Sequence, residues 1–382
     1  MIWTIAFFAF DDVKQGVKRV FSNKWSYVLT GFFFLHAIGY FFSENKDGAL
    51  NAIEIKLSFL AFPLLIFATN YNALQIKKVI ISFVSGCLLA SVICLFRALY
   101  LYLYEDFNAF FYSEFTYFMH PSYFAMYLIF AQLIVMLYYP TWLSHLSNLK
   151  VKIGLMSLIF LGSIFLCSSK MGLITAFLLL PVTLCIILYN QGYKKMIIGF
   201  VISLLVGIGI AYKLFPSPFD RMKTAMRVTS SSEAIDKTNV ESTAVRILIW
   251  QESIKLIKEN VIFGTTAGDA NDRLVNAYEK EGMTGAFLKK LNSHNQFLQT
   301  FIGTGLLGFA ILLLMTIGGL IYGFFKRNYL LILFSILMIF NFLVESMLQA
   351  QAGFVFFVFF FCLLSYYNLS KISKNNTSLN NS

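Results

Sequence analysis

Apolar runs of about 18 residues or more, separated by short polar connections, recur along nearly the whole chain. Windows and breaks together predict helical spans over 26–42, 50–69, 78–103, 121–139, 152–168, 171–189, 195–213, 296–323, 329–344 and 351–367. The ten-residue alternating segments of an outer-membrane barrel are missing. The predicted fold is therefore all-α, a polytopic transmembrane helical bundle of about 10–12 spans. Residues 1–10, MIWTIAFFAF, are apolar but too short to span, lack a basic leader region and end at Asp11 and Asp12. They read as the end of a span whose start is missing, and not as a cleaved signal peptide.

One polar interval breaks the rhythm. Residues 214–295 form a stretch of about 80 residues, far beyond ordinary connection lengths, and such stretches usually carry function. The chain thus divides into N-terminal spans (1–213), a large loop (214–295), C-terminal spans (296–367) and an Asn/Ser-rich tail (368–382) expected to be disordered. Within the loop, STAVRILIWQESIKLIKEN (242–260) pairs a Ser/Thr start with apolar residues at helical spacing. It is expected to be an amphipathic helix near the membrane surface.

Composition agrees: 58% of residues are hydrophobic and 13% charged, against about 25% charged in soluble domains. The net charge of +11 raises nucleic acid as a partner, but its placement supplies another reason. Alternate connections hold Lys14, Lys18, Arg19 and Lys24; Lys77 and Lys78; Lys150 and Lys152; Lys194 and Lys195; Lys326 and Arg327; and Lys371 and Lys374. The intervening short connections hold only Lys46 and Lys170, and residues 104–119 are acidic through Glu105, Asp106 and Glu114. Positive charge is retained on the cytoplasmic side, so the tail is expected inside and the large loop outside, with no nucleic-acid partner needed. Cys87, Cys94, Cys167, Cys185 and Cys362 fall in apolar runs without metal or disulfide spacing and read as small core residues.

Ionisable groups at membrane depth point to function, and here they gather on the outward side. These are His120 and Glu114, Lys170, Arg246, His294, and Glu345 with Gln349. Glu54, Lys56, Arg97 and His36 remain within spans; Glu54 and Lys56 are expected to snorkel to an interface. His294 lies where loop meets span, with Asn292 or Ser293 available as N-cap and Asn295, Gln296 and Gln299 in the first turn. Two readings stand for it: a helix cap, or a base beside an anion site at a helix N-terminus. Arg246 and Trp250, four apart, share a helix face and read either as interfacial anchors or as a phosphate grip. Lys170 reads as a turn marker or a phosphate ligand. HPSYFAMYL (120–128) reads as a span start with Pro121 near N1, or as the lining of an acceptor site. Gly303, Gly305 and Gly308 read as packing residues. No metal-ligand spacing, nucleotide loop or Gly-x-Ser-x-Gly elbow occurs, so an enzyme here is expected to use no metal and no cofactor.

AVRILIWQESIKLIKENVIFGTTAGD, LNSHNQFLQTFIGTGLLG and ESMLQAQAGFVFF, in that order and spacing, resemble the O-antigen ligase and polymerase family of bacterial membrane proteins. The resemblance covers about residues 155–365, and HPSYFAMYL and ESMLQAQAG resemble versions found in Bacteroidetes. It implies a GT-C-like fold in the inner membrane, using a glycan carried on undecaprenyl diphosphate at the periplasmic face, without metal or nucleotide. The acceptor is lipid A core for a ligase or another carrier-linked glycan for a polymerase; ligation is the expectation taken here. The resemblance also implies that His294 is the general base and that Arg246 holds the donor diphosphate. Lys170 stands where the family often has arginine after Ser169, with Arg221 or Arg227 as substitutes. Trp250, Asn295, Gln299, Asp269, His120 and Glu345 are expected to support the site or line the acceptor. A transporter or flippase of lipid-linked sugars is the competing class, but it would place its charges near the midplane.

Overall fold

The computed structural model describes residues 12–199, 201–202, 237–238 and 243–369. All regular structure among them is helical. Among the described residues, seven helical segments are long and apolar enough to cross a membrane. The first, preceded by the short helix α1 (Val13–Ser22), is α2 (Lys24–Phe42). The second runs from Lys46 to Ala68 and is interrupted at Leu57 into α3 (Lys46–Lys56) and α4 (Ser58–Ala68). The third is α5 (Ala73–Tyr104); after the one-turn α6 (Tyr112–Phe115) come α7 (Pro121–Trp142), α8 (Leu149–Leu166) and α9 (Lys170–Asn190). The expected span at 195–213 lies mostly outside the described residues, as do residues 1–10 and the tail beyond 369.

The polar loop supplies α10 (Thr243–Glu259), α11 (Ala270–Lys280) and α12 (Thr284–Leu288). The chain then returns through α13 (Gln296–Leu313), a π turn at Leu314–Gly318, and α14 (Gly319–Lys326), which together form the seventh apolar segment. Two shorter apolar helices close the bundle, α15 (Tyr329–Phe342) and α16 (Gln351–Tyr366).

The bundle is organised around α7, which is the most completely buried span. Its core is aromatic: Phe360 lies 4.7 Å from Phe83 and 4.8 Å from Phe130, and Tyr127 stacks on Phe356 at 4.4 Å. Edge and offset geometries of this kind add to the area each ring buries. Pro121 opens α7 at a position where its missing N–H costs nothing. Four of the five cysteines, all but Cys185, are buried here, and all five are free.

Cations close several helix ends, where carbonyls would otherwise lack partners. Arg19 donates to Ala68 O through Nε at 2.9 Å, Lys77 to Trp142 O at 2.6 Å, and Lys46 to Tyr40 O at 2.8 Å. Part of the topological charge pattern therefore also performs capping.

The loop helices form a small second core of Val245, Ile249, Leu274, Tyr278, Met283 and Ala286, joined by Ile302 of α13. The helix expected over 242–260 is thus present as α10, and its Val245 and Ile249 are buried in this body. Neighbouring helices cover that face, while Ile254 remains exposed.

The return helix is sharply broken. A straight helix from Gln296 to Lys326, 31 residues, would be about 46 Å long. From Tyr329, the 14 residues of α15 climb only about 21 Å. Yet Gln296 meets the turn that follows α15, because Gly305 is left-handed (φ 61°, ψ −161°) and folds the first part of α13 back. Phe301 and Phe309 stack at 4.7 Å across the break, where a straight helix would hold them about 12 Å apart. Backbone from the loop fills the gap. Leu306 N donates to Val261 O (2.9 Å) and Thr265 N to Ile302 O (2.7 Å), and a side chain on Gly305 would collide with the Ile262 carbonyl. The glycines are packing residues whose partner is this loop strand as much as another helix: Gly303 lies against the Ala267 backbone and Gly308 against Leu35.

Candidate functional site

The site forms where three pieces of chain meet: the start of α13, one face of α10, and the turn Leu343–Ala350 between α15 and α16. His294 immediately precedes the helix and adopts a left-handed backbone (φ 44°), uncommon for a residue with a side chain. Asn295 is the N-cap, accepting from Phe297 N (2.9 Å) and Leu298 N (3.1 Å). This corrects the expectation that Asn292 or Ser293 caps the helix. Asn292 Oδ1 instead accepts from His294 N at 2.9 Å, and Ser293 is fully buried. The turn these contacts impose directs the imidazole away from the helix axis and towards the neighbouring turn.

There His294 Nδ1 lies 3.2 Å from Glu345 Oε2. The other carboxylate oxygen, Oε1, accepts from Arg246 Nη2 at 2.8 Å, and Arg246 Nη1 donates to Val344 O at 2.6 Å. Burial disfavours the charge on Glu345. The hydrogen bond with His294 and the nearby Arg246 charge outweigh it and hold the carboxyl below its usual pKa. Glu345 is therefore an anion at neutral pH and can only accept. His294 therefore donates from Nδ1, and whenever the ring carries one proton Nε2 is left as an acceptor. The arrangement is a base with an orienting carboxylate, itself steadied by a guanidinium.

Further expected residues build the frame. Trp250 Nε1 donates to Ser293 O at 3.0 Å, so Trp250 and Arg246 use their shared helix face to grip the site from above. Gln299 Oε1 accepts from Ser293 N at 3.0 Å, and Asn295 Nδ2 donates to Leu343 O at 3.1 Å. Ser346 Oγ and Ser293 Oγ are 3.3 Å apart.

Other candidates lie elsewhere. Asp269 belongs to a joint between loop and bundle: it accepts from Asn45 N (2.7 Å), Glu44 N and Ser43 Oγ (3.0 Å each) and Thr266 Oγ1 (2.9 Å). Burial works to raise its pKa, but these donors together lower it. A Cβ on Gly268 would strike Ser43, and one on Gly264 would meet the backbone of Gly305 and Thr304. The Phe-Gly-x-x-x-Gly-Asp stretch thus docks the loop against the bundle, and Asp269 bonds none of the residues of the His294–Glu345 cluster. His120 caps α7, accepting from Ser122 N at 3.4 Å, with its ring 6.2 Å from those of Tyr112 and Tyr123. Lys170 is exposed at the first position of α9 and has no partner among the described residues. Ser169 and Ser122 hydroxyls, 3.4 Å apart, join the starts of α9 and α7. Tyr123 in turn sits against Gly353 just beyond the Glu345 turn. Lys170 and His120 thus occupy the same end of the bundle as the cluster without touching it. Arg221 and Arg227 lie outside the described residues.

One participant departs fully from its expected role. Lys56 does not snorkel: it is 1% exposed and donates to Leu348 O inside the bundle, whereas Glu54 is exposed. Among the described residues, no three His, Cys, Asp or Glu side chains come together in a way that could hold a metal ion.

In a sequence search no curated protein matches the chain. A family model described as O-antigen ligase matches residues 155–313, a stretch running from α8 through the loop to the end of α13 and containing Lys170, Arg246 and His294. That stretch of a polytopic helical protein, in which Arg246 and His294 converge on Glu345 beside a broken return helix, is thus similar to the O-antigen ligase family.

Proposed function

We propose that this protein transfers a glycan from an undecaprenyl-diphosphate carrier to an acceptor hydroxyl at the periplasmic face of the inner membrane, the acceptor being lipid A core. The observation that carries this reading is the shared carboxylate of Glu345, 3.2 Å from His294 and 2.8 Å from Arg246, in a chain whose residues 155–313 match an O-antigen ligase family model. The same reading takes the loop helices and the α13 start as the outward end.

In this mechanism His294 Nε2 takes the proton of the acceptor hydroxyl as its oxygen attacks the anomeric carbon. Glu345 stabilises the imidazolium that forms, as an orienting carboxylate does. The bond from the anomeric carbon to the diphosphate oxygen breaks, and the leaving group departs as an anion that needs no proton. Arg246 uses two N–H groups on Glu345 and Val344 and keeps others for that developing charge. Lys170, without a partner among the described residues and at the helix N-terminus at the same end of the bundle, supplies a second positive centre.

The test is reconstitution of the purified protein with carrier-linked glycan and lipid A core. Core-linked glycan is the expected product, and His294→Ala is expected to lower its formation at least about 100-fold. Transfer undiminished by that substitution would remove His294 from the mechanism. Lengthened carrier-linked glycan without core-linked product would make the enzyme a polymerase.

A further inference from the structure

Lys56 is the one fully buried lysine among the described residues, set at the interruption of a membrane-spanning segment. No carboxylate pairs with it among them, and dehydrating an ammonium without a counter-ion is costly. Its Nζ donates to Leu348 O, while Leu348 N donates to Gln296 Oε1 at 2.7 Å. Leu348 itself is fully buried, so both peptide groups would otherwise be orphans. A cavity of about 10 Å³, enough for one water, borders the amine and is lined by His36, Gln299, Thr300 and Gln349 among others. It gives the remaining N–H groups polar surroundings. Three residues before Leu348 stands Glu345.

The turn is thus held from both sides. Asn295 and Arg246 take the carbonyls of Leu343 and Val344, and Lys56 and Gln296 take both main-chain groups of Leu348. The carboxylate that orients His294 projects from between these grips. We propose that Lys56 is a positioning residue for transfer: by fixing the main chain at Leu348 it sets the reach of Glu345 to His294. The inference rests on the base reading of His294 given above. Aim is lost with small displacements, since misplacing a catalytic group by about 1 Å can cost about 100-fold in rate.

The experiment compares Lys56→Met, Lys56→Arg and Glu345→Gln in the full-length protein, reconstituted with carrier-linked glycan and lipid A core, with His294→Ala as control. Lys56→Met is expected to lower kcat about 10–100-fold with KM within twofold, because substrate contacts persist while the base is misdirected. Lys56→Arg, which keeps a donor, is expected to recover most of that loss. Lys56→Met combined with Glu345→Gln is expected to be no slower than Glu345→Gln alone, since both act through one contact. Should Lys56→Met fail to accumulate in the membrane, Gln296→Leu removes the other half of the grip and must give the same kcat-only loss. Wild-type kcat in whichever of these two variants folds, or losses that multiply with Glu345→Gln, would overturn the proposal while leaving the role of His294 intact. Full activity in His294→Ala would instead overturn the reading beneath it.

Discussion

At the scale of single residues, the centre of the molecule is one carboxylate serving two partners. Glu345 fixes the tautomer of His294 through Nδ1 and at the same time occupies part of the Arg246 guanidinium. Glu345→Gln keeps the size but replaces an obligate acceptor with an amide that can also donate, so Nδ1 no longer needs to carry the proton. Transfer is expected to fall at least about 100-fold with little change in KM, as for other orienting carboxylates, while the protein still melts near the wild-type temperature. A loss confined to KM would mean that Glu345 serves binding instead. The sequence singles out His294, as a polar residue at the start of a long apolar run, and Arg246, as a helix-face neighbour of Trp250, but leaves two readings open for each until the family resemblance is added. The pairing of His294 with Glu345 was not legible, since 51 positions separate them and only the fold-back of α13 joins them. Lys56 was misread for a related reason. Periodicity places it in a span, but only tertiary packing decides whether its amine escapes to an interface or finds a carbonyl.

At the scale of elements, the sequence displays motifs more readily than it displays what they join. The glycines and Asp269 of the Phe-Gly-x-x-x-Gly-Asp stretch stand out as a pattern, yet their purpose is to let two backbones touch and to tie the loop to the α2–α3 turn. Beside it, Arg273 pairs with Glu44 at 3.0 Å and Asn45 Nδ2 reaches Asp272 at 2.7 Å; both contacts are exposed and contribute little. Asp269, 5% exposed and accepting from four groups, is the part that matters. Asp269→Asn is expected to destabilise the docked loop by about 2 kcal/mol at neutral pH. The sign of the pH effect follows from the lowered carboxyl. Because the folded pKa lies below the unfolded value of about 3.9, the contribution is complete above that value and lost as pH falls through the folded pKa. The melting difference between wild type and Asp269→Asn should therefore hold constant from pH 7 to about 5 and narrow only below about 4. A difference that vanished already at pH 6 would assign the joint to some other group.

At the scale of the whole molecule, span lengths set the depth of the site. Helices α15 and α16 have 14 and 16 residues and rise about 21 and 24 Å, against a hydrocarbon core of about 30 Å. Both are shorter than a full crossing, so the turn that carries Glu345 is expected to sit below the membrane surface, with Trp250 and Arg246 of the loop helix α10 bonded to the residues around it. The charge pattern predicts that the Glu345 turn faces outward, since alternate connections of the sequence carry fourteen Lys and Arg residues. This can be read directly with single cysteines in a background where Cys185 is replaced, because the other four native thiols are buried. Leu288, 75% exposed on α12, marks the loop side, and Ser147, exposed between α7 and α8, marks the other. In cells whose outer membrane alone is permeabilised, a membrane-impermeant maleimide is expected to label Leu288→Cys and to spare Ser147→Cys. Disrupting the inner membrane should then expose the second thiol. The reverse order would place the His294 cluster in the cytoplasm, where a periplasmic glycan donor could not reach it.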